Sequence, residues 1–272
     1  MLLYIQKKQI VITSTTKENI NMTLDKAYEI IGEETKLKDG KTGLIVFDLD
    51  DTLLHADSSV MGIIIKKFTE TGKWENVAWE DTAQFAKSPY KDDKGNPKPG
   101  YKFDFSEFRN PEKIKQSFFK TEKDGKIISK GAEPLVAQLR MMDSNLRAGY
   151  DVAFLTARGA EQAVFTNLMK WLKYRNLKGE FVDLKKNKVN LTNSRAVNDE
   201  KYTKEYAGMP DGAKKAAFLK DKCSKYSIVK FVDDDQKNLA AMRALHLPNL
   251  KVIEAQGFEH NARIAERDKN KK

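Results

Sequence analysis

The chain has 272 residues, of which 40% are hydrophobic and 32% are charged, and its formal net charge is +10. No window of the sequence reaches the roughly 20 consecutive apolar residues that a membrane helix needs. A single cysteine, Cys223, excludes an intrachain disulfide framework and a cysteine-ligated zinc site, and the three histidines are scattered. Lys7 and Lys8 interrupt the first apolar run, so we expect no secretory signal, no membrane partner and a cytoplasmic protein.

The positive charge is concentrated in one part of the chain. Residues 1 to 47 contain seven lysines and six acidic residues, whereas residues 161 to 230 contain sixteen basic and eight acidic residues. Lys185, Lys186 and Lys188 form a cluster within the second stretch. A basic surface of this size favours an anionic partner such as a nucleotide, a polynucleotide or another phosphate ester. The alternative is a lysine-rich surface that contacts only solvent.

The predicted elements alternate between strands and helices. Residues 1 to 42 are interpreted as an N-terminal extension, with a helical tendency around Leu24–Ile31. Short apolar runs then predict buried parallel strands at Leu44–Phe47, Val152–Leu155, Ile228–Val232 and Leu250–Ile253. Helical patterns are found at Glu133–Met142, Glu161–Tyr174, Ala213–Cys223 and Gln236–Leu245. We therefore expect an α/β fold, a Rossmann-like parallel sheet flanked by helices, with its active site beyond the carboxyl ends of the strands.

Residues 57 to 131 interrupt this alternation, and we interpret them as an inserted cap. They contain four prolines and a turn-rich segment at Lys91–Asn96. Their aromatic residues favour a small folded unit. The alternative is a long irregular connection. Among these aromatic residues are Trp74, Trp79, Phe118 and Phe119.

The segment Phe47–Leu53, with the sequence FDLDDTL, includes the end of the first predicted core strand and the residues that follow it. Side chains two residues apart in an extended segment point the same way, so Asp48 and Asp50 are expected to face one site. Two carboxylates at a strand end are costly unless a cation neutralises at least one of them. One can act as a nucleophile or a metal ligand and the other as a proton carrier. The alternative is a cluster that only caps a turn or a helix.

This segment resembles the first motif of the haloacid dehalogenase-like (HAD) superfamily, a strand that ends in Asp-x-Asp-x-Thr. The second family motif, a Thr or Ser at the end of another strand, is similar to Phe154–Arg158 (FLTAR). The resemblance implies that Thr156 takes part in catalysis and that Thr156 and Arg158 bind the substrate. A hydroxyl group beside the free N–H groups of a helix start can hold phosphoryl oxygens, and a plain N-cap is the other interpretation of Thr156.

The third family motif is a lysine before the last catalytic strand, and Lys214 and Lys215 both lie in a matching segment. We favour Lys215 as the catalytic lysine because it lies three residues before Phe218, which is expected to face the core. Lys214 is then expected to bind the substrate.

The fourth family motif, a strand followed by acidic residues, is similar to Phe231–Asn238 (FVDDDQKN). The resemblance implies a bound Mg²⁺ ion, which prefers carboxylate and carbonyl oxygens. Asp235 is expected either to belong to this acidic cluster or to cap the following helix. Many family members have a further acidic residue at the position of Lys237. The expected metal ligands are Asp48, the backbone carbonyl group of Asp50, Asp233 and Asp234.

The resemblance covers residues 43 to 255. It implies a Mg²⁺-dependent phosphomonoesterase that forms an aspartyl-phosphate on Asp48. The catalytic core is expected to extend from residue 43 to residue 272. Asp50 would transfer protons, and Lys215 and Thr156 would stabilise the phosphoryl oxygens. The chain is similar to phage-encoded members in Phe103–Arg109. The double acid after the last catalytic strand is similar to the phosphatase half of phage polynucleotide kinase–phosphatases. The expected substrate is therefore a nucleotide or a nucleic-acid phosphate end. A small-metabolite phosphatase and a catalytically idle HAD-like binding protein are the alternatives.

Overall fold

The computed structural model describes residues 2–6, 9–13, 37, 40–57, 59–177, 191–255 and 257. The helical tendency around Leu24–Ile31 and the lysine cluster at residues 185 to 188 lie outside these residues. Within the described ranges, no helix has both the length and the apolar character needed to cross a membrane.

The strands and helices are numbered in chain order. The strands are Leu2–Gln6 (β1), Gln9–Thr13 (β2), Gly43–Phe47 (β3), Leu54–His55 (β4), Ile63–Phe68 (β5), Trp74–Glu80 (β6), Tyr101–Asp104 (β7), Thr121–Lys123 (β8), Lys126–Ser129 (β9), Glu133–Pro134 (β10), Asp151–Thr156 (β11), Arg195–Ala196 (β12), Ile228–Asp233 (β13) and Leu250–Glu254 (β14). The helices are Thr82–Ala86 (α1), Pro111–Phe118 (α2), Val136–Arg147 (α3), Glu161–Leu177 (α4), Asp211–Cys223 (α5) and Gln236–Arg243 (α6).

A five-stranded parallel sheet lies at the centre, in the order β12-β11-β3-β13-β14. Numbered along the chain, these strands lie in the order 3-2-1-4-5, which is typical of doubly wound α/β folds. The strand order changes direction between β3 and β13. The predicted α/β class, with a Rossmann-like parallel sheet flanked by helices, is confirmed.

Two apolar layers cover the two faces of this sheet. Alternate residues of a strand point to opposite faces, so Phe47 and Phe154 lie in one layer while Val46 and Phe231 lie in the other. Helices α3 and α4 pack on the first face, and α5 and α6 pack on the second. Every residue of β3 is buried, which explains why this strand is a continuous apolar run in the sequence.

The predicted core strands and helices are confirmed, with shifts at their ends. The largest shifts are at α3, which was predicted over Glu133–Met142 and spans Val136–Arg147. Glu133 and Pro134 instead form β10, which pairs with β4. A residue that precedes a proline is disfavoured in the helical region, so the helix begins after Pro134.

The inserted residues form a second, antiparallel sheet of three strands in the order β6-β5-β7, followed by the hairpin of β8 and β9. Helix α2 packs differently. Its residues Ile114 and Phe118 are buried in the same apolar layer as Phe47. Phe118 therefore packs in the main core and not within the insertion, because the apolar side of α2 faces α4; this corrects the sequence interpretation of that residue.

Candidate active site

The candidate site lies at the carboxyl ends of β3 and β13, where the strand order of the sheet changes direction. Asp48 directly follows β3, and Asp233 is the last residue of β13. The two strands are neighbours, with Val232 opposite Phe47, and the N–H group of Asp48 donates to the carbonyl oxygen of Val232 at 2.9 Å. The strand pairing thus brings the two acidic residues together. Open α/β sheets bind their ligands in the crevice at such a point.

Lys215 lies between these two carboxylates. Its Nζ donates to Asp48 Oδ1 at 2.7 Å and to Asp233 Oδ2 at 2.8 Å. The residue is 1% exposed, and helix α5 places it there because Phe218 on the same helix is buried in the core. Of the two candidate lysines, the structure therefore brings Lys215 to the site, as the helical spacing favours.

Lys214 has different partners. Its Nζ donates to Asn198 Oδ1 and, at 3.0 Å, to Asp211 Oδ1. Asn198 also donates to the carbonyl oxygen of Ala157, in the loop after β11. These contacts place Lys214 near that loop, and its expected contact with the substrate stays a prediction.

Burial strongly affects the titration of the central groups. It raises the pKa of Asp48 well above its ordinary value; the charge of Lys215 opposes this rise, and the carboxylates of Asp233 and Asp50 add to it. Burial by itself would lower the pKa of Lys215, but Asp48 and Asp233 raise it above the ordinary value. Lys215 therefore keeps its positive charge. One ammonium group thus lies between the side chains of Asp48 and Asp233.

Asp233 is 0% exposed and is held by neighbours at the start of α6. Asn238 Nδ2 lies 3.2 Å and 3.1 Å from the two carboxylate oxygens, and the N–H group of Asp235 donates to Oδ1 at 2.9 Å. Asp235 is also the N-cap of α6, which confirms that interpretation. The sequence analysis missed Asn238. Its place in the first turn of the helix after the acidic residues is the signal that could have indicated it.

A group of three acidic residues could hold a metal ion. One carboxylate oxygen each of Asp48, Asp233 and Asp234 lies within 4.8 Å of the others. Burial raises the pKa of Asp234 to about 6, although Thr52 Oγ1, which donates to Asp234 Oδ1 at 2.9 Å, opposes this rise. Carboxylate oxygens are the hard ligands that Mg²⁺ prefers, so these residues fit that ion. The carboxylate of Asp50 does not belong to the group, and its carbonyl contact stays a prediction.

Asp50 is paired with Arg158. Arg158 Nε donates to Asp50 Oδ2 at 2.8 Å, and Nη2 donates to Oδ1 at 2.6 Å. The Arg158 side chain is 2% exposed, whereas that of Asp50 is 42% exposed and accessible to a substrate. Burial tends to raise the pKa of Asp50, but the guanidinium group of Arg158, together with Lys215 and His55, opposes this rise, so the pKa lies below its ordinary value. Asp50 is therefore an ionised carboxylate in this structure.

This pairing supports a positioning role for Arg158. Its Nη1 donates to Ser117 Oγ at 2.9 Å, so Nε, Nη1 and Nη2 all contact protein groups. Its expected contact with the substrate stays a prediction. The sequence analysis also missed Ser117, because this residue comes from α2, 41 positions earlier in the chain, and has no local motif.

Thr156 ends β11 and is 1% exposed. Its Oγ1 accepts a hydrogen bond from the N–H group of Arg158 at 3.2 Å. Helix α4 begins only at Glu161, whose N–H group donates to Asp199 Oδ2 at 2.6 Å. The expectation that Thr156 lies directly at a helix start is therefore wrong, because a loop separates the strand from the helix. Its expected contact with the substrate now depends only on its place at the strand end.

The insertion contacts the loop that follows Thr156. The N–H group of Gly159 donates to the carbonyl oxygen of Phe108 at 3.2 Å. A Cβ atom at Gly159 would lie 2.6 Å from Arg109 Cγ and 3.0 Å from the carbonyl oxygen of Asn198. A glycine is therefore needed for this close approach. The insertion is thus packed against the loop that carries Arg158.

No protein-family model matches the chain, and no curated protein matches it either. The site offers a buried carboxylate beside an ammonium group, a second carboxylate two residues on, and acidic side chains that could hold a cation. This combination suits phosphoryl transfer, because it supplies a nucleophile, a proton carrier and positive charge for the phosphoryl oxygens.

Proposed function

We propose that this protein is a Mg²⁺-dependent phosphomonoesterase that forms an aspartyl-phosphate on Asp48. The observation that supports this most is the contact of Lys215 Nζ with both Asp48 and Asp233 at the ends of the central strands. Buried charges are costly, and a binding protein has no chemical need for this cluster. Membership of the HAD superfamily, with a core over residues 43 to 272 and a cap over residues 57 to 131, belongs to the same proposal.

In the first half-reaction, a carboxylate oxygen of Asp48 attacks phosphorus. The new bond joins Asp48 to phosphorus while the bond from phosphorus to the ester oxygen breaks. Asp50 gives its proton to that oxygen, so the alcohol leaves in its neutral form. Lys215 lies 2.7 Å from Asp48 and is placed to stabilise charge on the phosphoryl oxygens, and the Thr156 hydroxyl group has the same role from the neighbouring strand.

In the second half-reaction, Asp50 takes a proton from water and the water oxygen attacks phosphorus. The bond between Asp48 and phosphorus breaks, and inorganic phosphate leaves. The contact with Arg158 suits this half, because it holds Asp50 in the ionised form that accepts a proton. For the first half, Asp50 has to be protonated. We expect it to take up that proton when the negative charge of the substrate arrives beside it.

Asp48, Asp233 and Asp234 are the residues that would hold Mg²⁺. When bound, the ion neutralises these carboxylates and polarises a phosphoryl oxygen. Asp234 has to lose its proton to serve as a ligand, and its pKa of about 6 means that this occurs in the neutral range.

The proposed substrate is a nucleotide or the phosphate end of a nucleic acid. The net charge of +10, with its surplus in residues 161 to 230, supports an anionic substrate of this kind. In the small-metabolite alternative the lysines only contact solvent. In the binding-protein alternative the acidic cluster performs no reaction.

Phosphate release from a panel of substrates tests this proposal. The panel contains mononucleotides, 3′-phosphorylated oligonucleotides and sugar phosphates, each with Mg²⁺ and with a chelator. We expect Mg²⁺-dependent release that is fastest for the nucleotide or oligonucleotide substrates. Fastest release from sugar phosphates would favour the metabolite alternative. No release from any substrate would favour the binding protein.

A further inference from the structure

The sheet formed by β6, β5 and β7 has one covered face and one open face. Residues directly opposite each other in antiparallel strands share a face. Ile63 and Ile65 of β5 are only 2% and 0% exposed, so their face is covered. Phe103, opposite Ile65, packs edge-on against Phe85 of α1 with 4.8 Å between the ring centroids. The alternate residues of β5 lie on the other face.

That other face, which we call the aromatic face, carries aromatic rings and two lysines, together with Ile64, Asn76 and Asp104. Trp74 lies opposite Phe68 at one end of β6, and Trp79 lies near the other end. The two tryptophans are each 41% exposed, and Phe68 is 50% exposed. Lys66 and Lys102 lie opposite each other between the tryptophans. Exposed rings thus alternate with cationic side chains along this surface.

The two tryptophan rings have fixed neighbours. Lys102 Nζ lies 4.4 Å from the ring centroid of Trp74. Trp79 Nε1 donates to Glu107 Oε2 at 2.9 Å, and its ring lies so close to Gly62 that a Cβ atom there would come within 2.5 Å of it. Rings that are already ordered lose little further freedom when a ligand stacks on them.

A single-stranded polynucleotide fits this pattern. Bases stack on aromatic rings whatever the sequence, and neighbouring cationic side chains neutralise the phosphates. Lys66 is paired with Asp104 at 2.6 Å, which leaves the charge of Lys102 as the positive surplus of the face. Trp74 and Trp79 share this face because the pairing register of β5 and β6 shifts between them. The lysines lie between the two rings, so the face is not one continuous apolar patch of the kind that a protein partner favours.

The aromatic face is joined to the candidate active site by the 3-10 turn Ser106–Arg109. Glu107 in this turn accepts the hydrogen bond of Trp79 Nε1. Arg109 in the same turn lies against Gly159, in the loop that follows β11. A polynucleotide bound to the aromatic face would therefore lie on a surface that contacts a loop of the candidate site through this turn.

From these observations we propose that the aromatic face binds the single-stranded nucleotides that flank the scissile phosphate. This inference rests on the proposed function, and it specifies a polynucleotide rather than a mononucleotide as the substrate. The bases stack on Trp74 and Trp79, and Lys102 neutralises a phosphate between them.

Titration of the full-length protein with an oligothymidylate that has no terminal phosphate tests this surface apart from any hydrolysis. The chain has three tryptophans, and the third, Trp171, is only 1% exposed, so stacking should quench the emission of the exposed pair. We expect Trp74→Leu to weaken binding about tenfold, or about 1.4 kcal/mol, because the stacking of one base on the ring is lost. Ile127→Ala removes an apolar side chain that is 56% exposed on β9, outside the aromatic face, and should bind as the wild type does.

Salt dependence tests the role of the lysine. Lys102→Gln should reduce the slope of log Kd against log salt concentration by about 0.7, the value for one phosphate of a single strand. An unchanged slope would overturn the role of Lys102.

Two results would overturn the inference as a whole. The first is equal oligonucleotide affinity, or no quenching, in the wild type and Trp74→Leu. The second is self-association of the wild type that Trp74→Leu abolishes, because the face would then belong to a second copy of the chain.

Phosphate release from a mononucleotide separates this inference from the proposed function. Wild type and Trp74→Leu should release it at the same rate, which supports the inference. If neither releases phosphate while oligonucleotide binding still depends on Trp74, the binding surface is supported and only the phosphatase proposal fails.

Discussion

Arg158 holds Asp50 through two hydrogen bonds, from Nε at 2.8 Å and from Nη2 at 2.6 Å. The contact joins the loop after β11 to the segment that carries Asp48, the proposed nucleophile. Burial tends to raise the pKa of Asp50, and neighbouring cationic groups oppose this rise. Among these groups, Arg158 has the largest opposing effect on the pKa of the residue to which we assign both proton transfers.

Arg158→Gln should raise the pKa of Asp50, because the charge that most opposes the effect of burial is then removed. The protonated form of Asp50 then persists to higher pH, so the pH profile of kcat/KM for alkyl phosphates should shift to higher pH. The pH profile for aryl phosphates should shift less, since their leaving groups need no proton.

Two variants serve as controls for that shift. Arg243→Gln removes an exposed arginine in the last turn of α6 and should leave the pH profile of kcat/KM unchanged. Asp50→Asn should lose at least about 100-fold in rate on alkyl phosphates, the usual share of general acid–base catalysis. A profile that does not move in Arg158→Gln would contradict the assignment of Asp50.

Lys215→Met should reduce the free energy of unfolding by about 3 kcal/mol in the presence of a chelator, because Asp48 and Asp233 then lose their buried counter-charge. Chemical denaturation measures this loss. Mg²⁺ should restore part of it, since a bound cation can replace the missing ammonium group. Lys214→Met is the matched control and should lose less than about 1 kcal/mol, because its partner Asp211 is 45% exposed. Equal losses in the two variants would contradict the central place of Lys215.

The pKa of Asp234 predicts a stability effect whose direction depends on pH. Burial raises this pKa from 3.8 to about 6. In metal-free protein the contribution of Asp234 to the free energy of unfolding is therefore complete below pH 3.8. This contribution is lost as the pH rises through about 6. Asp234→Asn should raise the melting temperature well above pH 6 and leave it unchanged below pH 3.8.

Added Mg²⁺ should stabilise the wild type above pH 6 and should have a much smaller effect on Asp234→Asn. Asp235→Asn is the control, because asparagine caps a helix as well as aspartate does. A melting temperature of Asp234→Asn that follows the wild type at every pH would contradict the raised pKa of Asp234.

The part of the site that depends on strand ends could be predicted from the sequence. Strand β3 is buried on both faces and is a continuous apolar run in the sequence, and β13 is apolar apart from Lys230 and its last residue, Asp233. Parallel strands end at the same edge of a sheet, so the prediction of these two strands also predicts that Asp48 and Asp233 lie close together. Lys215 followed from helical spacing, because the buried face of α5 is set by Phe218.

The contact of Asp50 with Arg158 could not be predicted in this way. It joins residues 108 positions apart, and Ser117 reaches the same arginine from the insertion, so no local pattern encodes it. The sheet of the insertion was also hidden in the sequence. Strand β6 is largely exposed on both faces and shows no alternation of apolar and polar residues, although alternation is the usual signal of a strand with one buried face.

Mass spectrometry of the protein, quenched with acid during turnover, tests the central claim most directly. The account predicts one phosphoryl group on the peptide that contains Asp48. Asp48→Asn should carry no such group and release no phosphate, while its circular dichroism matches that of the wild type. A phosphoryl group on another residue, or phosphate release by Asp48→Asn at the wild-type rate, would contradict the account.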